Sequence, residues 1–220
     1  MKMIRKIGVV VILMMFLFGG AYTIAAEKKV EGKKVEGEKQ NVVEIRGGID
    51  KAMADRVIYR LWELDQVLPP GENIVMVIWF SPGGEFWSSL AICDAMKRLN
   101  HDVATIVVGY AYSGAAVIGS SGTPGKRYVP LHGHLMIHPK INVINGFYTE
   151  RGLEEYLQVC KKESLLMYYL LSENTGKDVK QIIADLEKEE VYFTAEEAIE
   201  YGLADKIFGP EEIKLFHPIK

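Results

Sequence analysis

Ile74-Val75-Met76-Val77-Ile78-Trp79-Phe80-Ser81-Pro82-Gly83-Gly84 decides the fold. The unbroken apolar run from Ile74 to Phe80 reads as a strand buried on both faces, the environment of a parallel sheet covered by helices. Ser81-Pro82-Gly83-Gly84 is then a turn, and its glycines let backbone N–H groups face a ligand, as an oxyanion site requires. Downstream, Phe86 to Leu99 has a helical pattern and Ala104 to Val108 is a second buried strand. Ser113 to Gly119 reads as a small apolar helix, with short strands at Tyr128–Val129 and Leu135–Ile137. A long helical pattern runs from Glu150 to Leu171 and a shorter one from Val179 to Leu186. Thr194 to Tyr201 closes the series, with Thr194 and Glu197 at capping-box spacing and Gly202 as the stop. Upstream, Val42, Val43 and Ile45 form a first strand. Asp50 to Leu64 carries Met53, Val57, Ile58, Leu61 and Trp62 at helical spacing and ends before Pro69-Pro70-Gly71. Strands alternating with helices predict an α/β fold of parallel βαβ units.

The remaining features set the bounds. With 220 residues and 25% charged side chains, the chain suits one globular domain with an appendage, and excludes disorder, collagen and a multi-span membrane protein. A net charge of −3 gives no basic surplus for nucleic acid. Cys93 and Cys160 are too few for a disulfide framework and are expected to be buried thiols. Residues 1–26 combine Lys2, Arg5 and Lys6 with an apolar run from Ile7 and small residues up to Ala26. That is the pattern of a signal peptide or, uncut, of an anchor through residues 7–26. The protein is therefore expected to be exported, either free outside the cytoplasmic membrane or anchored in it and facing outward. Residues 27–41 repeat KKVEG and read as a charged, solvated spacer, leaving 42–220 as the folded domain.

Two further motifs carry chemistry. Gly109-Tyr110-Ala111-Tyr112-Ser113-Gly114-Ala115-Ala116 follows a strand and opens a helix, which places the Ser113 hydroxyl where free N–H groups favour developing negative charge. It departs from the G-x-S-x-G elbow at Ala111. On its own it reads more readily as a helix N-cap. His132-Gly133-His134-Leu135-Met136-Ile137-His138-Pro139 puts His138 at the end of an apolar strand, where it can act as a general base. The same histidines at alternating positions would also suit a zinc site.

Taken together, SPGG, the Ser113-Gly114-Ala115 turn, Met136-Ile137-His138-Pro139 and Ala195 to Leu203 (AEEAIEYGL) resemble the proteolytic subunit of Clp-type serine proteases, over roughly Val43 to Ile207. The resemblance implies a crotonase-like ββα superhelix with a protruding long helix. It also implies a serine endopeptidase that uses no cofactor and no metal. Ser113 matches the nucleophile and His138 the base. The backbone N–H groups of Gly84 and Gly114 match the oxyanion hole, although the family usually has Met in place of Gly114. Counting back from Ala195 puts Glu190 at the position of the family's acid, with Glu187 and Glu189 as alternatives. The implied substrates are peptides or unfolded proteins, and the implied assembly is a homo-oligomeric ring. The succession from Leu165 to Leu171 independently calls for burial on more than one side. An ATPase partner is doubtful outside the membrane, where ATP is not expected. The competing readings are a Ser–Lys signal-peptide-peptidase-like enzyme, with Lys126, Lys140, Lys161 or Lys162 as base, and a crotonase-like acyl-CoA enzyme.

Overall fold

The structure, a computed structural model, describes residues 41–186 and 190–215. In chain order, β1 (Val42–Arg46), α1 (Lys51–Val67), β2 (Ile74–Ser81), α2 (Phe86–Met96), β3 (Val103–Tyr112) and α3 (Gly114–Ser120) build the first half. Then follow β4 (Arg127–Val129), β5 (His134–Ile137), α4 (Glu150–Thr175), α5 (Val179–Leu186), β6 (Val191–Phe193), α6 (Ala195–Tyr201), β7 (Lys206–Ile207) and a 3-10 turn at Pro210–Leu215. The main sheet runs β1-β2-β3-β4-β7, all parallel. Strand β5 pairs in parallel with the far end of β3, and β6 lies antiparallel on β5. This is the α/β, mostly parallel architecture expected of the ββα fold.

Burial of β2 on both faces has two separate causes. Ile74, Met76 and Ile78 enter the main core with Val57, Leu61 and Ile92 from the helices. Val75 and Val77 face the other way, against Ala104, Ile106 and Tyr128, under Trp79, Phe208 and Leu215. The C-terminal segment thus covers the second sheet face. Full burial of each such side chain stabilises the fold by about 1.5–3 kcal/mol.

Several boundaries differ from the sequence reading. The Asp50 carboxylate caps α1, accepting from the Met53 N–H at 2.7 Å, but the helix runs on to Val67. Trp62 and Tyr59 lie on its outer face, 56% and 70% exposed, so Trp62 is not part of the core stripe. Strand β3 is longer than its apolar core and carries Gly109 to Tyr112 as strand. Phe80 ends the apolar run with φ 41° and a register shift between Trp79 and Ser81, which turns its ring outward. The ring takes the space of a side chain at Gly109 (φ 79°), where a Cβ would stand 2.2 Å from Phe80 Cε1. This register shift falls just before the two chemical motifs. Strands β6 and β7 span only three and two residues and had no alternating pattern to announce them.

Asn41, placed by sequence in the spacer, is buried and donates from Nδ2 to the Asn73 and Leu215 carbonyls at 2.9 Å each. The folded unit therefore includes it. Residues 1–26 and the rest of the spacer, the subject of the export reading, lie outside the described residues. Among the described residues no helix is long and apolar enough to cross a membrane. Cys93 and Cys160 are both free and buried. Helix α4 buries only Cys160, Met167, Tyr168 and Leu171, and leaves Leu157, Val159, Leu166 and Tyr169 exposed.

Buried Arg127 ties the late elements together. It forks onto Asp205 at 2.6 and 2.9 Å, and donates to the carbonyls of Asn174 and Gly202 at 2.7 and 2.8 Å. Burial pushes the Asp205 carboxyl up, but these hydrogen bonds outweigh it and hold the group below the usual carboxylate range.

Candidate active site

Ser113 stands where β3 ends and α3 begins, with φ 53° and ψ −128°. Positive φ in a non-glycine residue is strained and persists only where the surroundings enforce it. Here the Ser113 N–H donates to the Met136 carbonyl at 2.7 Å, which pins the serine to β5. The sharp strand-to-helix turn of a nucleophile elbow is thus present without its usual glycine at Ala111. Its room comes from across the cleft instead. A Cβ on Gly83 (φ 84°) would meet the Tyr112 carbonyl at 2.5 Å and Ser113 Cβ at 2.7 Å. Only glycine permits that approach.

The turn at Gly83–Gly84 is held from behind. Ile49 N–H donates to Gly83 O at 2.9 Å and Glu85 N–H to Ile49 O at 2.8 Å. That bridge leaves the Gly84 N–H on the opposite side, where Gly84 lines a cleft of about 380 Å³ shared with Ser113, Gly114 and His138. The two glycines assigned by sequence to the oxyanion site are therefore in the same cleft as the serine. Phe86, Leu90, Val117, Ile141 and Met167 make the remaining wall mostly apolar.

His138 leaves the end of β5 half-buried in that cleft. Its Nδ1 lies 2.6 Å from the Pro139 carbonyl. A carbonyl can only accept, so Nδ1 carries the proton and the neutral ring keeps its lone pair on Nε2. That is the tautomer a general base needs. Glu190 is placed by the β5–β6 ladder. Ile137 pairs with Val191, so the next residues across are His138 and Glu190. The exposed Glu190 carboxylate accepts from the Tyr192 hydroxyl at 2.7 Å, which holds the tyrosine above its ordinary range. His138 and Glu190 are thus adjacent in register at the end of the strand pair, each with a different hydrogen-bond partner. Glu187 and Glu189 lie outside the described residues.

The other candidates separate. Lys126 pairs with Asp102 at 2.7 Å, remote from the cleft wall, and Lys161 and Lys162 are exposed on α4. Lys140 does line the cleft, but its ammonium is paired with Glu163 at 2.8 Å. His132 and His134 are exposed, and His132 precedes β5 rather than sharing it. Among the described residues no group of histidines, cysteines and carboxylates could hold a metal ion. Sequence reasoning did not single out Tyr192 or Glu163. Alternation on a strand could have linked Glu190 with Tyr192, two residues on. The Glu163 contact arises from tertiary packing and left no local signal.

The chain resembles known proteins over most of its length. The family described as Clp protease matches residues 35–211. The chain is 35% identical over 170 residues to "ATP-dependent Clp protease proteolytic subunit 3" of Rhodococcus jostii, covering 77% of this chain and 81% of that protein. It is 37% identical over 161 residues to "ATP-dependent Clp protease proteolytic subunit 2" of Corynebacterium jeikeium, covering 73% and 75%. It is also 34% identical over 170 residues to the "ATP-dependent Clp protease proteolytic subunit" of Ligilactobacillus salivarius, covering 77% and 83%.

Proposed function

Because the chain belongs to the Clp protease family, and so is a serine peptidase, we propose that Ser113 is its nucleophile and His138 its general base. The observation that carries this assignment is the strained Ser113 backbone in one cleft with a His138 whose Nε2 keeps its lone pair. Ser113 Oγ attacks the scissile carbonyl while His138 Nε2 takes the hydroxyl proton. The oxyanion is stabilised by the N–H groups of Gly84 and Gly114. His138 then returns the proton to the leaving amine, and water releases the acyl group by the same sequence. With the Nδ1–H kept on the Pro139 carbonyl, Glu190, the next residue on the strand across, supplies the countercharge to the imidazolium. The Lys140–Glu163 ion pair argues against a Ser–Lys mechanism, since a base must be able to lose its proton.

Labelling with a fluorophosphonate is expected to modify Ser113. Ser113→Ala should lose peptidase activity by roughly 10⁴-fold or more. Glu190→Gln should keep the fold and lower kcat sharply, because the imidazolium loses its countercharge. Activity unchanged in Ser113→Ala would overturn the assignment, and a silent Glu190→Gln would return the acid to Glu187 or Glu189.

The setting of this activity is part of the same reading. The basic start and apolar run of residues 1–26 support export. The exposed apolar face of α4 supports a homo-oligomeric ring that covers it. ATP is not expected outside the cytoplasm, so this reading has no ring ATPase feeding the cleft and takes peptides or already unfolded proteins as substrates. The three relatives are named ATP-dependent, and on this reading the chain differs from them.

A further inference from the structure

Lys140 is a largely buried cation at the edge of the cleft, and the mechanism above does not use it. Its side chain is 10% exposed and that of Glu163, on α4, is 22% exposed. Ammonium groups are rarely buried, and an ion pair removed from water is an expensive way to gain stability. The position of this one suggests what it does instead. The Lys140 ammonium sits 2.8 Å from the Glu163 carboxylate and 5.2 Å from the centre of the Phe86 ring, and also bonds Asn142 Oδ1. Phe86 opens α2 directly after the Gly83–Gly84 turn. Pro139, the residue before Lys140, supplies the carbonyl that holds His138 Nδ1 at 2.6 Å. One side chain therefore joins the segment carrying the base, the helix behind the oxyanion turn and the long helix α4.

We propose that Lys140 is a positioning residue for His138. Its ammonium is clamped between Glu163 and the Phe86 ring, which fixes residues 138–140 so that the Pro139 carbonyl orients the imidazole. The proposal rests on the assignment of Ser113 and His138. With the clamp released, the carbonyl shifts and the imidazole spends less time aimed at Ser113. Substrate binding also draws on Leu90, Val117, Ile141 and Met167 of the apolar wall, so it changes less than the rate. Ångström-scale misplacement of a reacting group costs about one to two powers of ten in rate.

The test measures kcat and KM on a fluorogenic peptide with the full-length protein, alongside the rate at which a fluorophosphonate modifies Ser113. Lys140→Met is expected to lower kcat and the modification rate about tenfold, with KM changed less than twofold. Lys140→Arg, which keeps the charge and can stack on Phe86, should retain most of kcat. Glu163→Gln should lower kcat in the same direction, and exchanging the pair (Lys140→Glu with Glu163→Lys) should recover part of the loss. Should thermal melting show that Lys140→Met does not fold, Glu163→Gln and the exchanged pair carry the test. A silent Lys140→Met, or a rise in KM with kcat unchanged, overturns the proposal, the latter by making Lys140 a substrate contact. Ser113→Ala in the same assay separates the two failures. If it is dead while Lys140→Met is silent, only the positioning role falls. If it remains active, the assignment beneath it falls.

Discussion

Gly114 follows the proposed nucleophile directly, and what it faces is Ser89 on α2. A Cβ built on Gly114 would stand 2.1 Å from Ser89 Oγ and 2.9 Å from Ser89 Cβ, while its next neighbour is 3.9 Å away. The Ser89 hydroxyl is itself fixed, donating to the Glu85 carbonyl at 2.9 Å. This explains how the chain departs from the methionine usual at that position of the family: a serine already fills the space. Gly114→Ala alone is therefore expected to displace α2 against α3 and lower activity at least tenfold. Combining it with Ser89→Gly should restore most of that, less the roughly 1 kcal/mol cost of a glycine inside a helix. Peptidase assays on the two variants check this, and a double variant as poor as the single one would contradict it. The exchange also marks the limit of reading single residues. Ser113 and His138 stand out as candidates in the sequence because their motifs are local and follow strands. The contact that forbids a side chain at Gly114 joins positions 25 apart and exists only after folding. The same holds for Glu163 behind Lys140.

Among the elements, α1 and the loop entering β3 are joined by a buried acid–base pair. The Asp65 carboxylate accepts from the Asn100 N–H at 2.8 Å and from His101 Nδ1 at 3.0 Å, while His101 Nε2 faces the Pro69 carbonyl at 3.3 Å. Both ring nitrogens thus point at acceptors, which favours the imidazolium. The hydrogen bond to Asp65 raises His101 above its ordinary 6.5, although burial opposes it. Burial likewise pushes Asp65 up, but its hydrogen bonds outweigh that and hold it below 3.8. The raised histidine adds stability that is complete below pH 6.5 and lost as pH climbs through its folded value. The depressed aspartate adds stability present above 3.8 and lost on acidification. The melting temperature should therefore be highest between these limits and fall from pH 6 to pH 9. His101→Gln should flatten the alkaline fall, and an unchanged slope would remove the pair from the account. The elements themselves were legible in proportion to their length. Strand β2 and helices α1, α4 and α5 announced themselves by apolar runs or periodicity. The three residues of β6 and two of β7 are too few to show a period and pair only because distant strands offer an edge. The outward turn of Phe80 was hidden for a related reason: hydrophobicity reports that a residue can be buried, and the bulge decides that it is not.

For the whole molecule, the exposed side of α4 sets the expected assembly. Leu157, Val159, Leu166 and Tyr169 are uncovered in the single chain. Light scattering on protein lacking residues 1–40 should give a mass several times that of one chain, and Leu166→Glu with Tyr169→Glu should reduce it. A monomer at micromolar concentration for the unsubstituted protein would refute the ring. Export is checked separately: amino-terminal sequencing of protein from cells should begin near Ala26 or Glu27 if the signal is cut, and a cytosolic chain with Met1 intact would contradict it. The sheet also bears on the order of synthesis. Strand β5, which leads into His138, has β6 as its second neighbour, and β4 is backed by β7, so the strand that presents His138 is flanked by one of the last segments to leave the ribosome. Such distant pairings form late. A chain stopped after Leu186 should accordingly show no fluorophosphonate labelling. Translation order then acts as a safety catch: the cell that makes this peptidase handles it as an inert polypeptide until its final strands are made.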